Sequence, residues 1–160
     1  STENISDNLA RFYEKFRYSS KDPIQEQFGD YVIALKIPKQ SQTEQLIAIS
    51  TFSSAPDDDW QGQYKFRSFA QGTTIKTEAM KYAEEEGMRL IWDLNQDFVI
   101  RYRFLSENSL VATLDEIAGA IDANFIPQVS VYFCNQKRTL VITDKAGTYV
   151  TENCKKTRVD

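Results

Sequence analysis

The chain has 160 residues, 41% of them hydrophobic and 26% charged, enough for one domain with an adequate core and too apolar for wholesale disorder. A net charge of −4 and a pI near 5.0 argue against broad attraction to nucleic acid or anionic lipid, leaving only a local basic face open. Histidine is absent, which excludes Ser-His-Asp and Cys-His catalysis and imidazole metal sites, and two cysteines cannot build a four-thiolate site.

Taken in order, Ile5, Leu9, Phe12, Tyr13 and Phe16 recur at helical spacing and predict an amphipathic helix over 5–17, broken by Lys21-Asp22-Pro23. Residues 31–37 and 45–52 read as two strands around the polar turn 38–42, hence a hairpin. Ser53 to Asp59, small, charged and broken by Pro56, is the linker expected between an N-terminal extension (1–58) and the main domain (59–160). Asp57, Asp58 and Asp59 lack the alternate spacing and glycine of a calcium loop and read as solvated.

A strand over 63–69 precedes a helix capped by Thr73 or Thr74, with Ile75, Ala79, Tyr82 and Ala83 as its inner stripe and Gly87 as its stop. Glu84-Glu85-Glu86 reads as a solvated face of that helix. Strand 88–92 follows, then a turn at 93–97. Phe98, Ile100, Tyr102 and Phe104 then alternate with Val99, Arg101 and Arg103 along one long strand. Residues 106–109 cap a second helix carrying Leu110, Leu114, Ile117, Ala118 and Ile121, and 129–134 with 138–143 form a closing hairpin. The sum is an α+β fold, a small mixed sheet with two amphipathic helices in the order β-α-β-β-α-β-β, plus the N-terminal helix and hairpin.

Cys134 lies in the apolar strand and Cys154 in the polar tail. Either they are joined, pinning the tail in an oxidising compartment, or they are one buried and one exposed thiol in a reducing one. No run approaches the roughly 20 apolar residues of a membrane span. Ser1-Thr2-Glu3-Asn4 carries no signal peptide, so the expectation is a cytosolic protein or a mature exported one.

The helix Thr74 to Gly87 (T-x-x-x-E-A-M-x-x-A-x-x-x-G), the strand Met88-Arg89-Leu90-Ile91-Trp92-Asp93-Leu94, the second helix start Ser109-Leu110 with Leu114-Asp115-Glu116-Ile117, and Arg138-Thr139-Leu140-Val141-Ile142 together resemble a known arrangement. They are similar to the secretin N0 and TonB-receptor signalling modules, and within that group to the C-terminal domain of the toxin-coregulated pilus biosynthesis protein Q family. The resemblance covers about half of the chain and leaves 1–58 unexplained. It implies a periplasmic protein of a type IV pilus or related secretion machine that associates with an outer-membrane secretin, exported by a signal since removed and bridged Cys134 to Cys154.

Three function classes are weighed on the residues. A scaffold would use an open sheet edge, with Arg101, Arg103, Trp60 and Asp93 as partner-binding candidates, while Trp92 fits the core better. An enzyme would draw on Glu78, Asp93, Asp97, Asp115 and Glu116, but no pair sits in an acid/base frame, and Ser106 and Ser109 have no local base. A glycan (peptidoglycan) or nucleic-acid binder would use Lys65, Arg67, Arg101 and Arg103 with nearby aromatics, yet alternation places the two types on opposite strand faces. The expectation is therefore a protein-binding scaffold, peripheral to the outer membrane, with no catalytic residue, metal or cofactor.

Overall fold

Alternating apolar strands and two stripe-bearing helices need a shared interior, and the computed structural model, which describes residues 31–158, provides it. In chain order the elements are β1 (Val32–Ala34), α1 (Gln42–Ala48), β2 (Lys65–Phe69), α2 (Ile75–Glu85), β3 (Arg89–Asp93), β4 (Gln96–Phe98), β5 (Phe104–Asn108), α3 (Leu110–Ile121), β6 (Ser130–Cys134), β7 (Thr139–Thr143), α4 (Thr148–Asn153) and β8 (Lys155–Lys156). The fold is α+β, as expected. The helix read at 5–17 lies outside the described residues.

The strands form a four-stranded sheet in the order β3-β7-β6-β8 and two ribbons, β1–β4 and β2–β5. β7 runs parallel to β3 and antiparallel to β6, and all five of its residues are buried because both sheet faces are covered. On one face Leu90, Trp92, Leu140, Ile142, Val131 and Phe133 join the stripes of α2 and α3 and the inner ribbon residues Phe69 and Phe104 in the main core. On the other, Leu46 of α1 and Val150 of α4 cover Cys134 and Val141. This period of two sorts each strand's side chains between the layers.

Local signals set the boundaries. Thr74 caps α2 by accepting the Thr77 N–H, and Ser109 caps α3 by accepting the Ala112 N–H. At the end of α2, Gly87 takes the left-handed conformation, with φ of +73°, as expected of a stop. Gly62 is also left-handed, and a Cβ there would lie 2.8 Å from Leu110 Cβ, so only glycine lets the segment 60–63 lie against α3.

Three expectations are corrected. Residues 45–52 do not form the second strand of a hairpin; the first four are the end of α1, and Ile49 is its C-cap. The reason is a capping box that the apolar run concealed: Ser41 Oγ accepts the Glu44 N–H at 3.1 Å, and Glu44 accepts the Ser41 N–H in return. Leu46 is the helix's apolar anchor while Ile47 stays exposed, and β1 pairs with β4 instead.

The long strand over 98–104 is broken in two. Ile100 donates its N–H to Thr73 and accepts from Gly72, so the backbone leaves the ladder to brace the loop before α2. Phe98 and Phe104 are both buried but in different ribbons, and Ser106 and Asn108 belong to β5, leaving Ser109 alone as cap.

Glu86, read as solvated, is clamped. It accepts the Gln63 N–H at 2.7 Å and pairs with the buried Arg67 at 2.7 Å.

A candidate protein-docking surface

The β2–β5 ribbon places its two faces in opposite environments. Register pairs Arg67 with Ser106 and Phe69 with Phe104 on the inner face, and Phe66 with Glu107 and Ser68 with Leu105 on the outer. Tyr64 is 60% exposed, Phe66 64% and Leu105 50%. Aromatic side chains therefore point to solvent while an arginine points in, the reverse of what hydropathy favours. The alternation is legible in the sequence, but its direction is not. The signal for it was split across the chain, since Arg67 faces inward only because Glu86 waits there.

Arg67 is the inner anchor. Its guanidinium donates to the Asn108 carbonyl at 2.8 Å, the Gln63 carbonyl at 2.8 Å and Glu86 Oε2 at 2.7 Å. Arg67 therefore does not belong to a basic solvent face of the kind a nucleic-acid or glycan binder would need. Beside it, Ser106 donates to Glu116 at 3.1 Å and Asn108 Nδ2 to the same carboxylate at 2.8 Å, with Thr113 at 3.1 Å from Ser106. Ser106 thus has a carboxylate partner that sequence reading missed, but both groups are buried, and burial pushes the Glu116 carboxyl above its usual value against the two hydrogen bonds.

The four partner-binding candidates lie in different settings. Arg101 stacks over the rings of Tyr31 and Tyr102 at 5.2 and 5.3 Å, and Arg103, exposed, immediately precedes β5. Arg103 thus adjoins the ribbon, while Arg101 lies on the Tyr31 side of the loop that leads into β5. Trp60, part-exposed, packs on Phe133 with ring centroids 5.4 Å apart. Asp93, also part-exposed, accepts from Gln42 at 2.7 Å and Thr143 at 2.6 Å, fastening α1 to the sheet. Trp92 is buried, with its indole N–H on the Gln96 carbonyl. The carboxylates weighed for catalysis are dispersed: Glu78 pairs with Lys81, and Asp97 receives the Lys76 and Phe98 N–H groups.

Cys134 and Cys154 are joined, with Cα atoms 4.4 Å apart. The bridge delivers β8 to β6, and Thr157 beyond it bonds the Val131 carbonyl and Asp115 Oδ1. Asp115 lines a cavity of about 430 Å³ with Asp122, Lys156 and Arg158. Burial lifts its carboxyl to about 6, against the Thr157 hydrogen bond and the Arg158 charge. Between that value and the usual one of about 4, the folded chain holds more protons than the unfolded, so Asp115 makes stability rise as pH falls across this window. Urea unfolding at pH 7.5, 6 and 4.5 should show the Asp115→Asn variant gaining on wild type at high pH and losing that advantage by pH 4.5. A pH-independent difference would refute it.

These features define a small α+β domain with a stapled tail and one exposed aromatic sheet face. The chain belongs to the toxin co-regulated pilus biosynthesis protein Q family, whose model matches residues 66–145, half of the chain, from β2 through β7. No curated protein and no solved structure matches it. Among the described residues, no helix is long and apolar enough to cross a membrane.

Proposed function

We propose that this protein is a non-enzymatic assembly or scaffolding component of a type IV pilus or related secretion machine, acting in the periplasm on an outer-membrane secretin or another envelope protein. The observation that carries the reading is the exposed apolar face of the β2–β5 ribbon, Tyr64, Phe66 and Leu105, with the exposed Arg103 at the start of β5 and Arg101 in the loop before it. An apolar patch with a charged rim is the usual make-up of a protein contact, and a two-stranded ribbon keeps sheet edge available for pairing. Family membership supports the pilus assignment, and the Cys134–Cys154 bridge suits an oxidising compartment. Trp60 and Asp93, part-exposed on other elements, are the remaining contact candidates.

The test is co-purification with an outer-membrane secretin from the cells that make this protein. Phe66→Asp and the double charge reversal Arg101→Glu/Arg103→Glu should each reduce recovery of the secretin at least about tenfold, as loss of a central contact does, with thermal stability unchanged. Undiminished recovery from both variants would remove this face from the function.

A further inference from the structure

The open border of the ribbon has a chemistry of its own. The Tyr82 hydroxyl donates to the Ser68 carbonyl, so Ser68 turns its backbone away from β5 and towards α2. In an antiparallel pair, residues alternate between facing the partner strand and facing away from it. Ser68 and Phe66 therefore face away, and so do the residues opposite them, Leu105 and Glu107. On β2 that outer edge is met by Tyr82 of α2. On β5 the N–H and C=O groups of Leu105 and Glu107 point outwards, and no strand pairs with them among the described residues.

The side chains along this edge are ordered. Arg103, Leu105 and Glu107 have the same parity, so the outer face presents a cation, an apolar group and a carboxylate in sequence. Arg103 and Leu105 are exposed and Glu107 part-exposed. The stretch is basic at one end although the whole chain carries −4. Directly opposed charges and apolar pairs across neighbouring strands favour pairing, and like charges oppose it.

We infer that the outer edge of β5 accepts a partner's extended strand, antiparallel to β5, whose alternate residues are basic, apolar and acidic, so that the acid meets Arg103, the apolar residue meets Leu105 and the base meets Glu107. This deepens, and rests on, the docking reading above by naming the edge and the chemistry of the segment. Backbone bonds to Leu105 and Glu107 supply the pairing, and the charge order fixes register and direction. Phe66, diagonal to Leu105 on the same face, continues the apolar surface on the β2 side of Leu105, away from the added strand.

The probe is a terminally blocked peptide, Thr-Lys-Thr-Val-Thr-Glu-Thr, at millimolar concentration, read by amide exchange of the intact disulfide-bonded chain. It should slow exchange of the Leu105 and Glu107 N–H groups at least about tenfold, while an analogue N-methylated at alternate residues gives no protection. The order-reversed peptide, Thr-Glu-Thr-Val-Thr-Lys-Thr, should bind more weakly to wild type and more tightly to the Arg103→Glu/Glu107→Lys variant. Protection confined to β2 or to the helices overturns the inference, as does equal binding of both orders to both proteins. Secretin capture without peptide protection also overturns it, leaving the docking reading intact. Peptide protection with the predicted charge preference but no secretin capture supports it and removes only the partner assigned above.

Discussion

Replacing Arg67 by leucine should lower the unfolding free energy by about 3–5 kcal/mol, the usual cost of removing one member of a buried ion pair. The arginine side chain is fully buried and Glu86 nearly so. Taking away the guanidinium orphans the Asn108 and Gln63 carbonyls and strands Glu86 against the Gln63 N–H alone. Glu86→Leu should be comparably costly, since it leaves a guanidinium charge under α2 with carbonyls only. The double variant Arg67→Leu/Glu86→Leu should recover part of the loss, because a buried pair replaced by apolar groups is often neutral. Urea denaturation of the three variants closes this cycle. Additive losses with no recovery would mean the two side chains act separately, contrary to the 2.7 Å contact.

The bridge is the second large term. Cys134 and Cys154 are 20 residues apart in sequence, and cross-linking a loop of that size removes about 3 kcal/mol of chain entropy from the unfolded state. The Cys134→Ala/Cys154→Ala protein should melt roughly 6–12 °C lower, at 2–4 °C per kcal/mol for a domain of this size. The loss should be spatially uneven. β8 has only two residues and depends on the bridge for its place against β6, so Thr157 should release the Val131 carbonyl and Asp115 before the main core opens. Hydrogen exchange should therefore quicken first at the tail, with Leu140 and Ile142 of β7 still protected. Uniform acceleration across both layers would show that the tail is no separate unit. Wild type under reductant should reproduce the double variant.

Much of this was readable from residues, and the rest was not for identifiable reasons. The stripes of α2 and α3, the cap at Ser109, the stop at Gly87 and the closing hairpin follow from local pattern, because their apolar residues all serve one core. α1 was misread because Leu46-Ile47-Ala48-Ile49 is apolar throughout, and only the Ser41–Glu44 box distinguishes a helix start from a strand. The split between β4 and β5 depends on a hydrogen bond from Ile100 to Thr73 that no strand pattern encodes. For the docking surface, Arg101 and Arg103 were recognisable as outward cations, but the exposure of Tyr64 and Phe66 was not. Whether a strand turns its aromatics or its arginine inwards depends on what lies opposite, here a carboxylate 19 residues away from Arg67.

On the proposed function, the outer face of the ribbon meets a partner in the assembled machine. Site-specific photo-crosslinking in living cells tests it most directly, with a benzophenone residue at Phe66 and a control at Ile126, which is fully exposed elsewhere on the fold. One discrete adduct is expected at position 66, containing the secretin or another envelope component of the pilus machine, and none at 126. Identical crosslinking patterns at the two positions, or no adduct at 66 in cells assembling pili, would contradict it.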